Sequence, residues 1–330
     1  MKYCSYISFV NILYLIENLE QYMKIKLTIF TPTYNRGKLI LRLYKSLLNQ
    51  SCYDFEWLVV DDGSSDNTEL LFKDLLHKNN PFEIVYKKKN NGGKCSAINA
   101  GVELARGDYF LIVDSDDYLT NNAVSLIIEK FNSIVKNESF GAIAFLRCHP
   151  NMQCIGGDVN YQILDSDFLS YRRDLHYIGD RAEVIRTSVL RKYPFPVYEN
   201  EKFLSESTIW NRIAKEYKCR YFNEKIYICE YQEGGLSDSS SKMFNNSPKG
   251  SMLYYKECFL DAKTFKQRLI FCSLYWRFSF STNYKGHSEL KPLASMYPFL
   301  LFYPFYLIIR YWFHKNRGRV AETLNKSRNK

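Results

Sequence analysis

An α/β fold with a mostly parallel central sheet and helices on both faces is predicted by three observations. Short β-branched runs alternate four times with stretches of helical apolar spacing, over about 115 residues from Lys26 onward. Polar motifs at 31–36, 61–66 and 114–117 each follow a strand-like run directly, and open parallel sheets gather ligands at the carboxyl ends of their strands. The chain has 330 residues, 46% apolar and 24% charged, enough to bury a sizeable core.

The elements follow in order. Lys26–Thr31 is a β-branched run that ends in Pro-Thr-Tyr-Asn, a strand entering a loop. Lys38–Asn49 has apolar residues at 39, 40, 43, 47 and 48, a helical spacing. Phe55–Val60 is a buried strand stopped by Asp61-Asp62-Gly63-Ser64-Ser65-Asp66, and Asn67–His77 is helical. Phe82–Tyr86 is a strand, and Ser96–Ala105 a helix after an Asn-Gly-Gly turn. Tyr109–Val113 is a buried strand ending in Asp114-Ser115-Asp116-Asp117, and Ala123–Val135 is a helix. Beyond Gly141 the pattern loosens: strands are expected at Gly141–Arg147, Val184–Val189 and Lys225–Cys229, with a helix at Glu206–Tyr217. Three segments result: an N-terminal extension over 1–22, a main domain over 23–240, and a tail over 241–330 with helical stretches near 251–280 and 294–313.

Charge separates the tail from the body. Residues 241–330 hold 16 Lys and Arg against 4 Asp and Glu, whereas residues 1–240 hold 29 against 31. The tail also carries 20 of the 54 aromatic residues. Basic, aromatic and apolar together fit a membrane surface better than nucleic acid, which is excluded as a partner. Ala294–Phe313 is long enough to span, but Pro298 and Pro304 interrupt it and basic residues flank both sides. The expectation is peripheral attachment at the cytoplasmic face. Nine cysteines without a C-x-x-C suggest free thiols in a reducing compartment. The five histidines form no metal or triad spacing. The apolar run Tyr6–Ile16 lacks a cleavage site and makes a poor signal peptide; residues 1–22 read as a mis-assigned start or a short amphipathic helix.

Asp114-Ser115-Asp116 places two carboxylates at a strand end, where a hard divalent cation takes one or two of them together with phosphate oxygens. Alone, the same residues read more readily as a turn capping the next helix. Their company decides. Thr31-Pro32-Thr33-Tyr34-Asn35-Arg36, Val60-Asp61-Asp62-Gly63-Ser64-Ser65-Asp66, Asn91-Gly92-Gly93 with Ala97, Asn99 and Gly101, and Asp114-Ser115-Asp116-Asp117 resemble the successive signatures of glycosyltransferase family 2, in order and spacing. The resemblance covers about residues 26–125. It implies a GT-A fold, an inverting mechanism and a nucleotide-diphospho-sugar donor.

The site residues come from that resemblance. It makes Asp116 the metal ligand, with Asp117 as a substitute ligand, Asp114 nearer the ribose and Ser115 among the donor-binding residues. Asp62 matches the residue that accepts from a uracil N3–H. Pro32, Thr33, Tyr34 and Arg36 match the donor-binding loop, Tyr34 offering a ring and Arg36 a cationic fork. Lys94 reaches donor phosphate or is a solvated lysine. On the acceptor side, aligning on Trp210 and Arg212 puts Glu206 where the family's catalytic base stands, with Ser205 in place of a Glu. Gln232–Ser237 resembles a loop common in the family, read as a lid or a plain linker. The expected activity is inverting transfer from a nucleotide sugar, UDP-linked, to a hydroxyl of a glycan or lipid-linked acceptor, with Mg²⁺ or Mn²⁺, in cell-surface polysaccharide synthesis. The alternative is a sugar-nucleotide-binding scaffold without turnover.

Overall fold

A computed structural model describes residues 26–230 and 240–280. The segments 1–22 and 294–313 and the loop Gln232–Ser237 lie outside the described residues. The chain divides into two compact units, one holding 26–202 and 209–230 of the described residues, the other 203–208 and 240–280.

The first unit opens with β1 (Leu27–Thr33), α1 (Ile40–Leu48), β2 (Phe55–Asp61), α2 (Thr68–Leu76), β3 (Glu83–Lys88), α3 (Lys94–Leu104) and β4 (Tyr109–Ile112). The strands lie in the order β3-β2-β1-β4, all parallel, with Leu27 opposite both Phe55 and Tyr109. All seven residues of β1 and of β2 are buried, as expected for strands covered on both faces. Alternation sorts the two faces. Leu27, Ile29, Trp57 and Val59 join the cluster that includes Ile40, Leu43 and Leu47 of α1 and Phe72 and Leu75 of α2. Phe30 faces the other way, against α3, where a Cβ on Gly101 would stand 2.2 Å from its ring. That close approach is why a glycine occupies the helix interior there.

The second half of the unit is mixed. It contains β5 (Tyr118–Leu119), α4 (Ala123–Phe131), β6 (Phe140–Cys148), β7 (Ile163–Ser166), α5 (Phe168–Arg173), β8 (Arg181–Arg186), α6 (Thr187–Lys192), α7 (Ser207–Ile213) and β9 (Lys218–Ile228). The sheet continues from β4 through β8, β6 and β9 to β5, with β7 on β9. β8 is antiparallel to both neighbours, and β6 runs parallel to β9 through three register shifts. The predicted strand over 184–189 is corrected here: the strand ends at Arg186 and Thr187 begins a helix. A β-branched run reads alike in either state, and only the antiparallel pairing with β4 decides it. The strand expected over 225–229 is the end of an eleven-residue one.

The second unit, as described, comprises α8 (Ser240–Asn246), α9 (Pro248–Leu260) and α10 (Phe265–Phe280). The single helical stretch expected near 251–280 is therefore two helices, broken at 261–264. Their aromatics form their own cluster, with Met252, Phe259, Tyr275, Trp276 and Phe278 buried. No helix among the described residues is long and apolar enough to cross a membrane. No disulfide joins any two of the eight cysteines among the described residues.

Candidate active site

Three loops leave the carboxyl ends of β1, β2 and β4, and polar side chains tie them together. Asn35 takes φ 53°, a left-handed conformation that asparagine tolerates better than most residues. Its backbone N–H donates to Ser64 Oγ at 2.8 Å. Its Oδ1 accepts from the Ser65 N–H at 2.8 Å and the Asp66 N–H at 3.3 Å. One amide thereby fixes the β1 loop against the β2 loop. Pro32 and Thr33 still belong to β1, opposite Val60 and Asp61. Thr33 Oγ1 is buried without a hydrogen-bond partner, a polar atom left for something to satisfy. Tyr34 is 49% exposed, a ring free to receive a planar ligand.

The paired aspartates after β2 have different tasks. Asp61 is fully buried and accepts from the Ser64 N–H at 2.7 Å and from Tyr86 Oη at 2.5 Å. Burial first, then that bond, pushes the Tyr86 phenol far up, so it stays a donor. Asp62 accepts from the Gly92 N–H at 2.9 Å, the Gly93 N–H at 2.7 Å and Lys89 Nζ at 2.8 Å. Expected to meet a base, Asp62 here shapes the Asn-Gly-Gly turn. Gly93 sits at φ 87°, and a Cβ there would come within 1.9 Å of the Lys202 carbonyl oxygen. Only glycine fits. Asn99 clasps the backbone of Phe195 through both ends of its amide, at 2.8 Å each. The motif residues 92–101 are thus mostly architectural.

The turn after β4 carries the charge. Lys94 Nζ lies 2.6 Å from Asp114 Oδ1, and Arg36 Nη1 lies 2.9 Å from Asp116 Oδ2. Burial works to raise the Asp114 carboxyl, but Lys94 and then Arg147 outweigh it and hold it below the usual range. Asp116 and Asp114 are each a quarter to a third exposed. Ser115 between them is buried. Asp117, expected as a substitute metal ligand, is instead turned inward. Its Oδ2 accepts from Tyr227 Oη at 2.8 Å and its Oδ1 from the Glu230 N–H at 3.2 Å. Burial, then the charge of Asp114, pushes Asp117 up to about 7 against the Tyr227 bond.

The ligand chemistry fits a hard cation held jointly with a phosphate. No group of three or more Cys, His, Asp or Glu side chains among the described residues converges as a cage. Two carboxylates at a strand end, Asp114 and Asp116, are instead the donor set that a magnesium-like ion uses when substrate phosphates complete its shell. Each carboxylate is now matched by a cation, Lys94 or Arg36, of the kind that binds phosphate.

Several residues here had no local signal. Arg42 of α1 donates to the Asp116 carbonyl oxygen, pairs with Glu230 and lies over the Tyr118 ring at 4.9 Å. Arg147 of β6 covers the Tyr227 ring at 4.2 Å and lies 4.0 Å from both Asp114 Oδ2 and Glu183 Oε2. Asn35 stood inside a recognised motif, and its tolerance of positive φ was the available clue. Glu206 belongs to the second unit, just before α7.

Comparisons with known proteins agree with this architecture. The model of glycosyl transferase family 2 matches residues 28–141. A chondroitin synthase of Pasteurella multocida is 44% identical over 105 residues, 32% of this chain and 11% of that protein. A GalNAc(5)-diNAcBac-PP-undecaprenol beta-1,3-glucosyltransferase of Campylobacter jejuni is 28% identical over 210 residues, 62% of this chain and 64% of that one. This chain therefore spans about a tenth of the synthase and under two thirds of the glucosyltransferase. Among solved structures, residues 1–349 of S. aureus TarS superpose with a TM-score of 0.54 at 21% identity, over 83% of this chain and 77% of that one. The same protein in complex with UDP-GlcNAc gives a TM-score of 0.53 at 20% identity, over 84% and 79%. That likeness shows the fold.

Proposed function

We propose that this chain, which carries a glycosyl transferase family 2 domain over residues 28–141, transfers a sugar with inversion from a UDP-linked donor to a hydroxyl of a glycan or lipid-linked acceptor. The observation that carries the reading is the doubly paired turn after β4, where Asp114 meets Lys94 and Asp116 meets Arg36. A donor diphosphate brings the anion for both cations, and a divalent ion brings the cation for both carboxylates. One exchange of partners satisfies all four groups.

In this reading Tyr34 stacks on the base and Thr33 Oγ1 gains a partner in the nucleotide. Asp62, already holding the 92–93 turn, retains lone pairs for a uracil N3–H. Arg36 and Lys94 hold the diphosphate in line. A bound Mg²⁺ or Mn²⁺ would neutralise the charge that develops on the leaving diphosphate. Asp116, with Asp114, would hold it. The acceptor oxygen attacks the anomeric carbon as the bond to the diphosphate breaks. Glu206 takes the proton from that hydroxyl, the task a general base has in such a displacement.

The basic, aromatic tail supports work at the inner face of the plasma membrane on a growing polysaccharide or lipid-linked saccharide. The test is a thermal-shift screen of the purified protein against nucleotide sugars with and without Mn²⁺. Stabilisation by a UDP-sugar that Mn²⁺ enhances supports the reading, and indifference to every nucleotide sugar overturns it. Binding with no transfer or donor hydrolysis would make the chain a scaffold.

A further inference from the structure

The turn that bears the two candidate ligand carboxylates is gripped at both ends by one hydroxyl of β9. Val113, one residue past β4, still donates to the Phe30 carbonyl at 2.8 Å. The next N–H, that of Asp114, has left the sheet and donates to Tyr227 Oη at 2.9 Å. The same hydroxyl donates to Asp117 Oδ2 at 2.8 Å. Tyr227 thus touches both ends of the four-residue turn Asp114–Asp117, itself closed by the Asp117 N–H on the Asp114 carbonyl at 3.1 Å. A phenol is suited to this because it accepts and donates at once. Burial, above all, pushes its ionisation far upward, so the proton stays for Asp117.

The ring is fixed as firmly as the hydroxyl. Tyr227 is fully buried, its backbone pairs with Leu119 of β5 and Arg147 of β6, and the Arg147 guanidinium lies over its face. Asp117 has a second donor in the Glu230 N–H, two residues past the end of β9. Between the clamped ends, Ser115 is buried and Asp116 is left facing Arg36.

We infer that Tyr227 is a positioning residue for the donor site: its hydroxyl sets the Asp114–Asp117 turn so that the Asp114 and Asp116 carboxylates are presented together to a divalent cation and a nucleoside diphosphate. The inference rests on the donor-site reading above. Tyr227 touches neither cation nor nucleotide and acts only through the turn. Groups that orient ligating side chains typically change metal affinity about 10–100-fold when removed.

Tyr227→Phe keeps the ring, its burial and its contact with Arg147, and deletes the hydroxyl alone. The measurement is calorimetric titration with UDP, once in MnCl₂ and once in EDTA, beside a melting curve of the ligand-free protein. Wild type is expected to bind UDP more tightly with Mn²⁺. In Tyr227→Phe that metal-dependent gain should fall about tenfold, while affinity in EDTA stays at the wild-type value. Asp117→Asn disturbs the same bond from its other end and should lose the gain likewise. A merely structural role would lower the melting temperature and weaken UDP equally in both buffers, which overturns the inference. Both variants keeping the full metal-dependent gain would overturn it too. A wild-type protein that gains nothing from Mn²⁺ brings down the donor-site reading and the inference with it, and is told apart because the failure is already present before any substitution.

Discussion

The two halves of the first unit contribute to one site in different ways. The parallel half, β1 to β4, supplies the groups proposed to face a ligand: Tyr34, Arg36, Lys94, Asp114 and Asp116, all at strand ends or helix starts. The mixed half, β6 to β9, supplies groups that hold the turn after β4, namely Arg147, Tyr227 and Glu230, beside Arg42 of α1. Ligand-facing residues sit in loops that a rigid scaffold positions. Holding residues of the mixed half sit within or just beyond strands, where register decides what they reach.

The sharpest way to break that division is to remove a ligand-facing carboxylate. Asp116→Ala should reduce turnover about 10³-fold or more, about 4 kcal/mol of barrier, with the melting temperature nearly unchanged, since Asp116 is on the surface of a turn. Steady-state kinetics beside a melting curve checks this, and a large loss of stability would place Asp116 among the holding residues instead. Gly93→Ala should show the opposite profile. Its Cβ would meet the Lys202 carbonyl at 1.9 Å in a left-handed backbone, so a loss of about 3 kcal/mol in folding stability is expected from urea denaturation.

Glu206 sharpens the comparison on the acceptor side. Glu206→Gln should keep UDP affinity and lose transfer by about 10²-fold, the scale of a missing general base. Weaker nucleotide binding at unchanged turnover would make it a donor-side or structural residue. A smaller effect is expected from Asn35→Ala, which removes the acceptor for the Ser65 and Asp66 N–H groups while leaving every charge in place. UDP affinity should fall about tenfold, the equivalent of roughly 1.4 kcal/mol. An unchanged affinity would show that the β1 and β2 loops hold their places without it.

The legibility of the sequence follows the same division. The parallel strands and their helices were readable because each is a local period, and the carboxyl-end rule then gathered the motifs to one edge. Asp61 and Asp62 were visible as a pair, but not that Asp61 is internal and that Asp62 carries the 92–93 turn, since those bonds span about thirty residues. Asp117 looked like Asp116 from the sequence. Its inward turn depends on Tyr227, and that tyrosine lies 110 positions away in a strand whose pairing with β6 shifts register three times. The helix starting at Thr187 was missed because β-branched residues continue through it, and the antiparallel β4–β8 pairing that ends the strand at Arg186 leaves no local mark.

The central claim, a UDP-sugar donor site at the carboxyl ends of β1, β2 and β4, is tested most directly by following UDP release from purified protein incubated with a panel of UDP-sugars. Release from at least one sugar in MnCl₂, abolished by EDTA and restored by added Mn²⁺, is the predicted result. Release that continues undiminished in EDTA would contradict the metal assignment, and no release from any UDP-sugar with or without acceptor extract would contradict the claim itself.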